Sequence, residues 1–460
     1  MIADWKPVDR WLMGESWVGS RIPAHFDALC DEIGPRWGGS ECERRAAEYV
    51  RDQLQAADLA GPRLEEFTLR TWDCLDAGIL VEGHDSWKLD VRPCLYCPSV
   101  AVDGPLVDVG YGMGPTFERF GEGLKGAVAL IDSGFEPFTA PRPLDVRLAD
   151  LARAGVAAAI TPSPYGGRRT QQMVVSDWRD GDLTQVPLAV VQTSREDGAR
   201  LKRLVGGGAR VSVVVRADFR TTPSWNTVAD LAGSRWPEEH LILEAHHDTT
   251  PDSFGANDNA SGTAVLLETA RLLADLGREL GIRPGRAIRF VSFGSEEQGL
   301  QGSSAFVARH YGPDPLPRLS INLDELATGN MKGVVLQFPE LRTLVQAQLD
   351  TMNEGFACHV LAQLDPSGDL FPFSRIGVPS AMLWRWRFVG RHPDTAFGHS
   401  SSDTPDKVRF RELKEYAGHL ARLLLRLSHV PPADWPENQL DPRAIARRLD
   451  NERGTVLRTM

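Results

Sequence analysis

The chain predicts an α/β fold built around a largely parallel sheet, with a smaller β-rich module inserted into it. Three observations carry this expectation. Four near-continuous apolar runs, LILEA (241–245), AIRFVSF (287–293), LSINL (319–323) and VVLQF (334–338), have the texture of strands buried on both faces. Amphipathic stretches such as 261–276 separate them, and strand–helix alternation of this kind builds layered α/β domains. Between about 74 and 218 the texture changes to short apolar runs punctuated by Gly and Pro, which reads as a separate module.

Taken in order, residues 1–73 form a Trp-rich, amphipathic lead-in and the first part of the main domain. Within them, Gly34-Pro35-Arg36-Trp37-Gly38-Gly39-Ser40 is a loop. Ser40 is placed to cap a helix in ECERRAAEYVRDQL, where acidic residues come first and Ala47, Val50 and Leu54 share a face. The module at 74–218 carries strands near 106–109, 127–132, 156–160, 186–192 and 211–215, with helices near 144–154 and 195–205. The main domain resumes over 219–430 and ends in a long helix near 406–428. A C-terminal extension, 431–460, holds a last basic helix opened by Asp441 at the N-cap and Pro442 at N1.

Composition narrows the function. A chain of 460 residues is long enough for more than one domain, and its 42% hydrophobic and 25% charged residues suit a globular protein with a large core. The formal charge of −11 argues against a nucleic-acid partner, which a basic surface would favour. No apolar run approaches the ~20 residues that span a bilayer, so no membrane partner is expected. The N-terminal segment mixes Asp and Glu into its apolar residues and has no signal-like core, which places the protein in the cytoplasm. Six cysteines are too sparse for a disulfide framework. Cys94 and Cys97 form one CxxC with Cys74 and His84 upstream, but the irregular spacing favours reduced thiols over a structural zinc site.

Five short segments carry the chemistry: Ala245-His246-His247-Asp248, Gly255-Ala256-Asn257-Asp258-Asn259-Ala260-Ser261-Gly262, Gly294-Ser295-Glu296-Glu297-Gln298-Gly299, Asn322-Leu323-Asp324-Glu325 and Gly398-His399-Ser400-Ser401-Ser402-Asp403. Most of them place His, Asp or Glu at or just beyond the C-terminal end of an apolar strand, the edge at which open α/β sheets bind ligands. Taken singly, each residue has an ordinary explanation: a histidine paired with a carboxylate, a solvated Glu pair, an Asp capping a helix. Taken together, His246, Asp258, Glu297, Asp324 and His399 make a set of two imidazoles and three carboxylates without thiolate. Such a set suits zinc, with cobalt or manganese as alternatives. Five ligands exceed what one catalytic zinc uses, but serve two ions if one carboxylate bridges.

These segments resemble the signature of metallopeptidase family twenty-eight, across about 30–72 and 219–430. The segments KGAVALIDSG, LARAGVAAAITP and QVPLAVVQTSREDGARL resemble the pattern of a protease-associated domain inserted in several relatives. The resemblance implies a zinc-exopeptidase architecture, a three-layer mixed and largely parallel sheet with helices on both faces. It further implies that His246 and Asp324 bind one zinc, that Glu297 and His399 bind a second, and that Asp258 bridges them. Asp248 would orient His246. Glu296 would be the general base, taking a proton from the attacking water and returning it to the leaving amine. The expected substrate is a peptide or small amide, and an aminopeptidase acting on short peptides is the leading reading. Self-association of the chain is left open.

Several features qualify that reading. Many relatives place a Tyr near the last His ligand, yet none lies in the fifty residues before His399, so Arg391, His392 or a backbone amide would have to assist the oxyanion. Ser367-Gly368-Asp369 resembles a family Ser-Asp pair with a Gly between. Arg385, Arg387 and Arg391 are candidates to meet a C-terminal carboxylate, which keeps carboxypeptidase, dipeptidase and amidohydrolase activities open. An inactive scaffold would have lost a ligand or the base, and none is lost. Neither GxSxG nor HExxH occurs, which disfavours a serine hydrolase and a single-zinc helical protease.

Overall fold

A computed structural model describes residues 4–82, 87–175, 187–312, 314–327, 329–385, 397–436 and 441–452. The chain divides into two compact units. One comprises the residues up to Leu69 and from Thr222 onward, and the other runs from Arg70 to Thr221. The sequence texture places the insert at 74–218, a few residues inside these limits. The reason is that both boundaries fall within continuous strands, β1 (Ala60–Val81) and β7 (Arg210–Leu231), so no turn residue marks them.

Before β1 the chain forms helices α1 (Lys6–Val18) and α2 (Glu41–Ala56). The Ser40 side chain accepts a hydrogen bond from the Glu43 backbone N–H, the expected cap, and Ala46, Ala47, Val50 and Leu54 are buried along one face of α2.

The inserted unit carries β2 (Arg92–Pro93), β3 (Val100–Gly110), β4 (Val128–Ile131), α3 (Leu144–Arg153), β5 (Ala158–Pro162), β6 (Val190–Thr193), α4 (Arg195–Val205) and the first part of β7. Its strand order is β7-β3-β4-β5-β6-β2. β3 to β6 run parallel, and the flanking pairs are antiparallel. Cys94 and Cys97 are buried free thiols whose ionisation burial suppresses, and Cys74 is exposed. His84 lies outside the described residues.

The larger unit continues with β8 (Trp236–His246), α5 (Ser261–Leu280), β9 (Arg286–Phe293), α6 (Gln301–His310), β10 (Ser320–Asn322), β11 (Met331–Leu336), α7 (Arg342–Asp350), β12 (Ala357–Val360), α8 (Leu370–Arg375), β13 (Ser380–Arg385), α9 (Phe410–His429) and α10 (Pro442–Glu452). Its sheet order is β12-β11-β13-β10-β8-β9-β7. β9, β8, β10 and β13 are mutually parallel, and the last part of β7 closes the β9 side antiparallel. The run at 334–338 begins earlier than its apolar residues suggest, at Met331, and stops at Leu336, before Pro339 opens a short turn. The long C-terminal helix starts at Phe410 rather than near 406, because Thr404-Pro405 opens a separate turn closed by the Lys407 N–H on the Thr404 carbonyl.

Helices α5 and α9 supply the largest apolar faces. Leu266, Leu273, Leu420 and Leu424 are buried together with Leu243, Ile321 and Phe290 of the sheet. At roughly 25 cal/mol per Å² of apolar surface, this burial is the main term holding the sheet rigid. Helix α1 is tied to α9 by Asp9, which accepts from both Arg422 and Arg426. The guanidinium of Arg426 also stacks 4.5 Å from the Trp5 ring. Helix α10 is tied down by Glu452, which accepts from the Leu364 N–H at 3.1 Å.

Candidate metal centre

β9, β8 and β10 lie side by side in parallel, so their C-terminal ends share one edge. In register, Phe293 stands beside His246 and Asn322 beside Glu244. His246 is therefore the last residue of the central strand. Asp324 reaches the same level two residues past β10, and Glu296 and Glu297 follow from the end of β9. Parallel pairing of apolar runs brings together side chains that are dozens of residues apart in sequence.

Asp258 sits in the turn that opens α5, and its two carboxylate oxygens face different histidines. Oδ1 lies 3.2 Å from His246 Nε2, and Oδ2 lies 3.2 Å from His399 Nε2. Asp324 Oδ1 is 3.4 Å from the same nitrogen of His246, and Glu297 Oε2 is 3.1 Å from that of His399. The five residues thus form two triads, His246–Asp258–Asp324 and Asp258–Glu297–His399. In each, one donor atom per residue lies within 4.8 Å of the others. His246, Asp258 and Glu297 are buried, whereas the Asp324 and His399 side chains are 28% and 26% exposed, so the centre opens to solvent on their side.

The electrostatics of the cluster are unbalanced. Burial opposes protonation of His246, yet the charge of Glu296 and contacts with Asp248, Asp258 and Asp324 raise its proton affinity well above the usual imidazole range. Against the same opposition from burial, Glu297 and Asp258 raise that of His399. Burial pushes the Glu297 carboxyl up to about 7 and holds Glu296 well above an ordinary carboxylate. Nε2 of His246, Oδ1 of Asp324 and Oε1 of Glu297 are buried without a hydrogen-bond partner among the described residues. Buried polar atoms are normally paired. An orphaned nitrogen and orphaned oxygens facing one another are what a cation would satisfy, so the residues fit a metal. The donor set, with imidazole and carboxylate but no thiolate, fits zinc.

The surrounding residues fix this geometry. Asp248 lies 3.3 Å from His246 Nδ1, and its two oxygens accept from the backbone N–H groups of Glu296 (3.0 Å) and Glu297 (3.2 Å). One carboxylate thus orients the histidine and clamps the turn that carries the Glu pair. Asp403 is buried and accepts from the N–H groups of Asn257 (2.8 Å) and Asp258 (3.0 Å), fixing the backbone of the residue the two triads share. Desolvation pushes its carboxyl up to about 7. Arg36 is a residue to which the loop reading assigns no role. It is fully buried and donates to the carbonyls of Leu29, Gly34, His247, Phe254 and Gly255, holding the loop between His246 and Asp258. A glycine- and proline-rich flank in sequence hides that role, since its partners His247, Phe254 and Gly255 lie more than 200 residues away.

Other expected residues fare differently. Arg385 points Nη1 at the carbonyls of Asp324 and Glu325, so it anchors the backbone beside a ligand. Arg387, Arg391 and His392 lie outside the described residues. Asp369 is buried at the N-terminus of α8, and desolvation pushes its carboxyl up to about 7. The tyrosines nearest in sequence to His399 are engaged elsewhere: Tyr416 donates to the Gly329 carbonyl, and the Tyr311 hydroxyl lies 3.0 Å from His240 Nε2.

Comparison with known proteins agrees with this geometry. Residues 226–424 match the model of peptidase family M28. Bovine carboxypeptidase Q is 25% identical over 391 residues, covering 82% of this chain and 78% of the relative. Aminopeptidase YwaD of Bacillus subtilis is 26% identical over 404 residues, covering 85% and 81%. Among solved structures, an M28 peptidase precursor from Shewanella amazonensis superposes with a TM-score of 0.76 at 19% identity, covering 92% of this chain and 97% of that one. A zinc aminopeptidase from Bacillus subtilis gives 0.70 at 20% identity, covering 91% and 98%. These structural matches show the α/β fold.

Proposed function

We propose that this chain, a metallo-exopeptidase belonging to peptidase family M28 through residues 226–424, uses a pair of zinc ions to remove N-terminal residues from short peptides. The observation that carries the reading is the sharing of Asp258 between two triads, each with one histidine and one further carboxylate. His246, Asp258 and Asp324 would hold one ion and Asp258, Glu297 and His399 the other. Bound there, zinc would polarise the scissile carbonyl and make a water acidic enough to act as nucleophile near neutral pH.

The protein's own groups supply the rest. Glu296 is buried, shares the clamped turn with Glu297 and has a raised proton affinity. Those properties suit a general base that takes the proton of the attacking water and passes it to the departing amine. Asp248 sets the orientation of both His246 and this turn.

Charge favours a free N-terminus over a free C-terminus. Glu325 Oε1 and Asp258 Oδ2 both lie within 3.5 Å of the point where a Cβ on Gly398 would stand. A carboxylate outside the ligand set therefore borders the centre, and a carboxylate suits an ammonium group. The competing reading, a carboxypeptidase, takes support from the likeness to carboxypeptidase Q. We further read the inserted unit as protease-associated-like and the protein as cytoplasmic. No described helix is long and apolar enough to cross a membrane.

Two measurements test the proposal. Elemental analysis of gently purified protein is expected to give about two zinc per chain, and one or none would count against the paired centre. A panel of free, N-blocked and C-amidated dipeptides is expected to show cleavage wherever the amine is free. Cleavage of N-blocked peptides that requires a free carboxylate would select the carboxypeptidase reading.

A further inference from the structure

We propose that Glu43, on the first turn of α2, is a positioning residue for Glu296: it holds the Ser295 turn against α2 and so sets the reach of the general base. The inference rests on the reading of Glu296 as base and adds a residue to that machinery from a helix 250 residues away.

The local role of Glu43 is a helix cap. In Ser40-x-x-Glu43, Ser40 accepts from the Glu43 N–H, and Glu43 Oε2 accepts from the Gly39 N–H at 2.6 Å. A cap needs no more than this, and a capping Glu is satisfied at a solvent-exposed helix end. Glu43 is instead fully buried, with no cationic partner among the described residues. Its second oxygen, Oε1, crosses to the sheet edge. It accepts from the hydroxyls of Ser224 (2.6 Å) and Ser295 (3.0 Å), which are themselves 2.9 Å apart.

Ser295 immediately precedes Glu296 and sits in the left-handed region, with φ 55° and ψ 37°, where a residue with a Cβ needs support. Asp248 grips the next two backbone N–H groups from the side of the ligands. Glu43 grips the Ser295 side chain from α2, so the turn is held by two carboxylates. The chain is also built for this approach. A Cβ on Gly294 would lie 2.6 Å from Glu43 Oε1, and one on Gly38 would lie 2.4 Å from Ser295 Oγ. Gln298 Nε2 adds a bond to the Gly38 carbonyl at 3.1 Å. Loosening the clamp would let the base drift, and a misplacement of roughly 1 Å costs about 100-fold in rate.

The test compares E43A, E43Q, S295A and E296Q in the full-length zinc enzyme. E43A is expected to lower kcat by about 30–100-fold with KM within about threefold, zinc content unchanged, and the acidic limb of the kcat pH profile displaced. E43Q can keep its carbonyl oxygen on the serines but turns its NH2 towards the Gly39 N–H, so it is expected to keep kcat within about threefold of the parent while lowering thermal stability through the lost cap. S295A removes one bond of the clamp and is expected to lose about 3–10-fold in kcat, which keeps the test decisive if E43A does not fold. Parent-like kcat and pH profile in S295A, or in a folded E43A of reduced thermal stability, would reduce Glu43 to a cap and overturn the proposal. Loss of zinc in proportion to activity would also overturn it, by placing the effect on Glu297. High turnover in E296Q would instead sink the assignment of the base itself, whatever E43A shows.

Discussion

Two buried charge clusters in the larger unit solve the same problem in opposite ways. Around Arg271, the carboxylates of Glu15, Glu268 and Asp275 are met directly by one guanidinium at 2.6–2.8 Å, with Arg278 closing on Asp275 and the Arg21 N–H on Glu268. Around Asp258, three carboxylates and the nearby Glu296 meet two imidazoles, and three buried atoms, one each of His246, Glu297 and Asp324, find no hydrogen-bond partner among the described residues. The first cluster is complete as protein. The second fits a metal cation, because buried carboxylates need compensating charge. Clustered acids alone do not distinguish a structural network from a metal centre. The orphaned atoms do.

Four experiments break or sharpen that contrast. The largest effect is expected from D258N, which removes the shared ligand. Its loss of metal affinity should exceed the roughly 10–100-fold typical of an outer partner, with activity lost alongside, as read by zinc content and turnover. E296Q comes next, with zinc retained and kcat reduced by about 10²–10⁴-fold. R271M attacks the other cluster and removes the guanidinium shared by Glu15, Glu268 and Asp275, leaving the fully buried Glu268 only the Arg21 N–H among the described residues. It is expected to cost about 3–5 kcal/mol in denaturant unfolding with little change in kcat of the folded enzyme, so a drop in kcat would erase the distinction.

The smallest effect is expected from mild acid. His25, His240 and His419 are held near 4 by burial, below the usual 6.5. Below pH 6.5 the unfolded chain takes up protons that the folded chain refuses. The contribution of these histidines is therefore full above about 6.5, falls as pH drops towards 4 and levels off below. Each group contributes at most about 1.4 kcal/mol per pH unit. Asp369 and Asp403, raised to about 7, act in the opposite sense over the same range, so the histidine contribution is read by difference in equilibrium unfolding: H240Q is expected to lose less stability between pH 7 and 5 than the parent, and an equal loss in both would contradict it.

Much of the centre was legible without coordinates. His246, Glu297 and Asp324 could be picked out because each follows an apolar run, and parallel strands in a layered fold bring such ends to one edge. The cap at Ser40 and the helices at 144–153 and 195–205 of the inserted unit were readable for a similar reason, since turn residues and period are local. Glu43 and Arg36 were not. A capping Glu and a loop Arg have sufficient local explanations, and nothing near them in sequence names Ser295 or the carbonyls of residues 247–255. The limits of the two units were blurred by β1 and β7, which run through them unbroken.

The sequence by itself determined the chemistry: which side chains are present, their order along the strands, and a donor set of imidazole and carboxylate that suits zinc, with cobalt or manganese as alternatives. Only the tertiary structure decided how those donors are shared. That Asp258 turns one oxygen to each histidine, and that Glu43 and Asp248 both hold the Glu296 turn, depends on strand register and on contacts between segments far apart in the chain. Residue type and spacing are local properties, whereas the direction in which a carboxylate points is fixed by the packing around it.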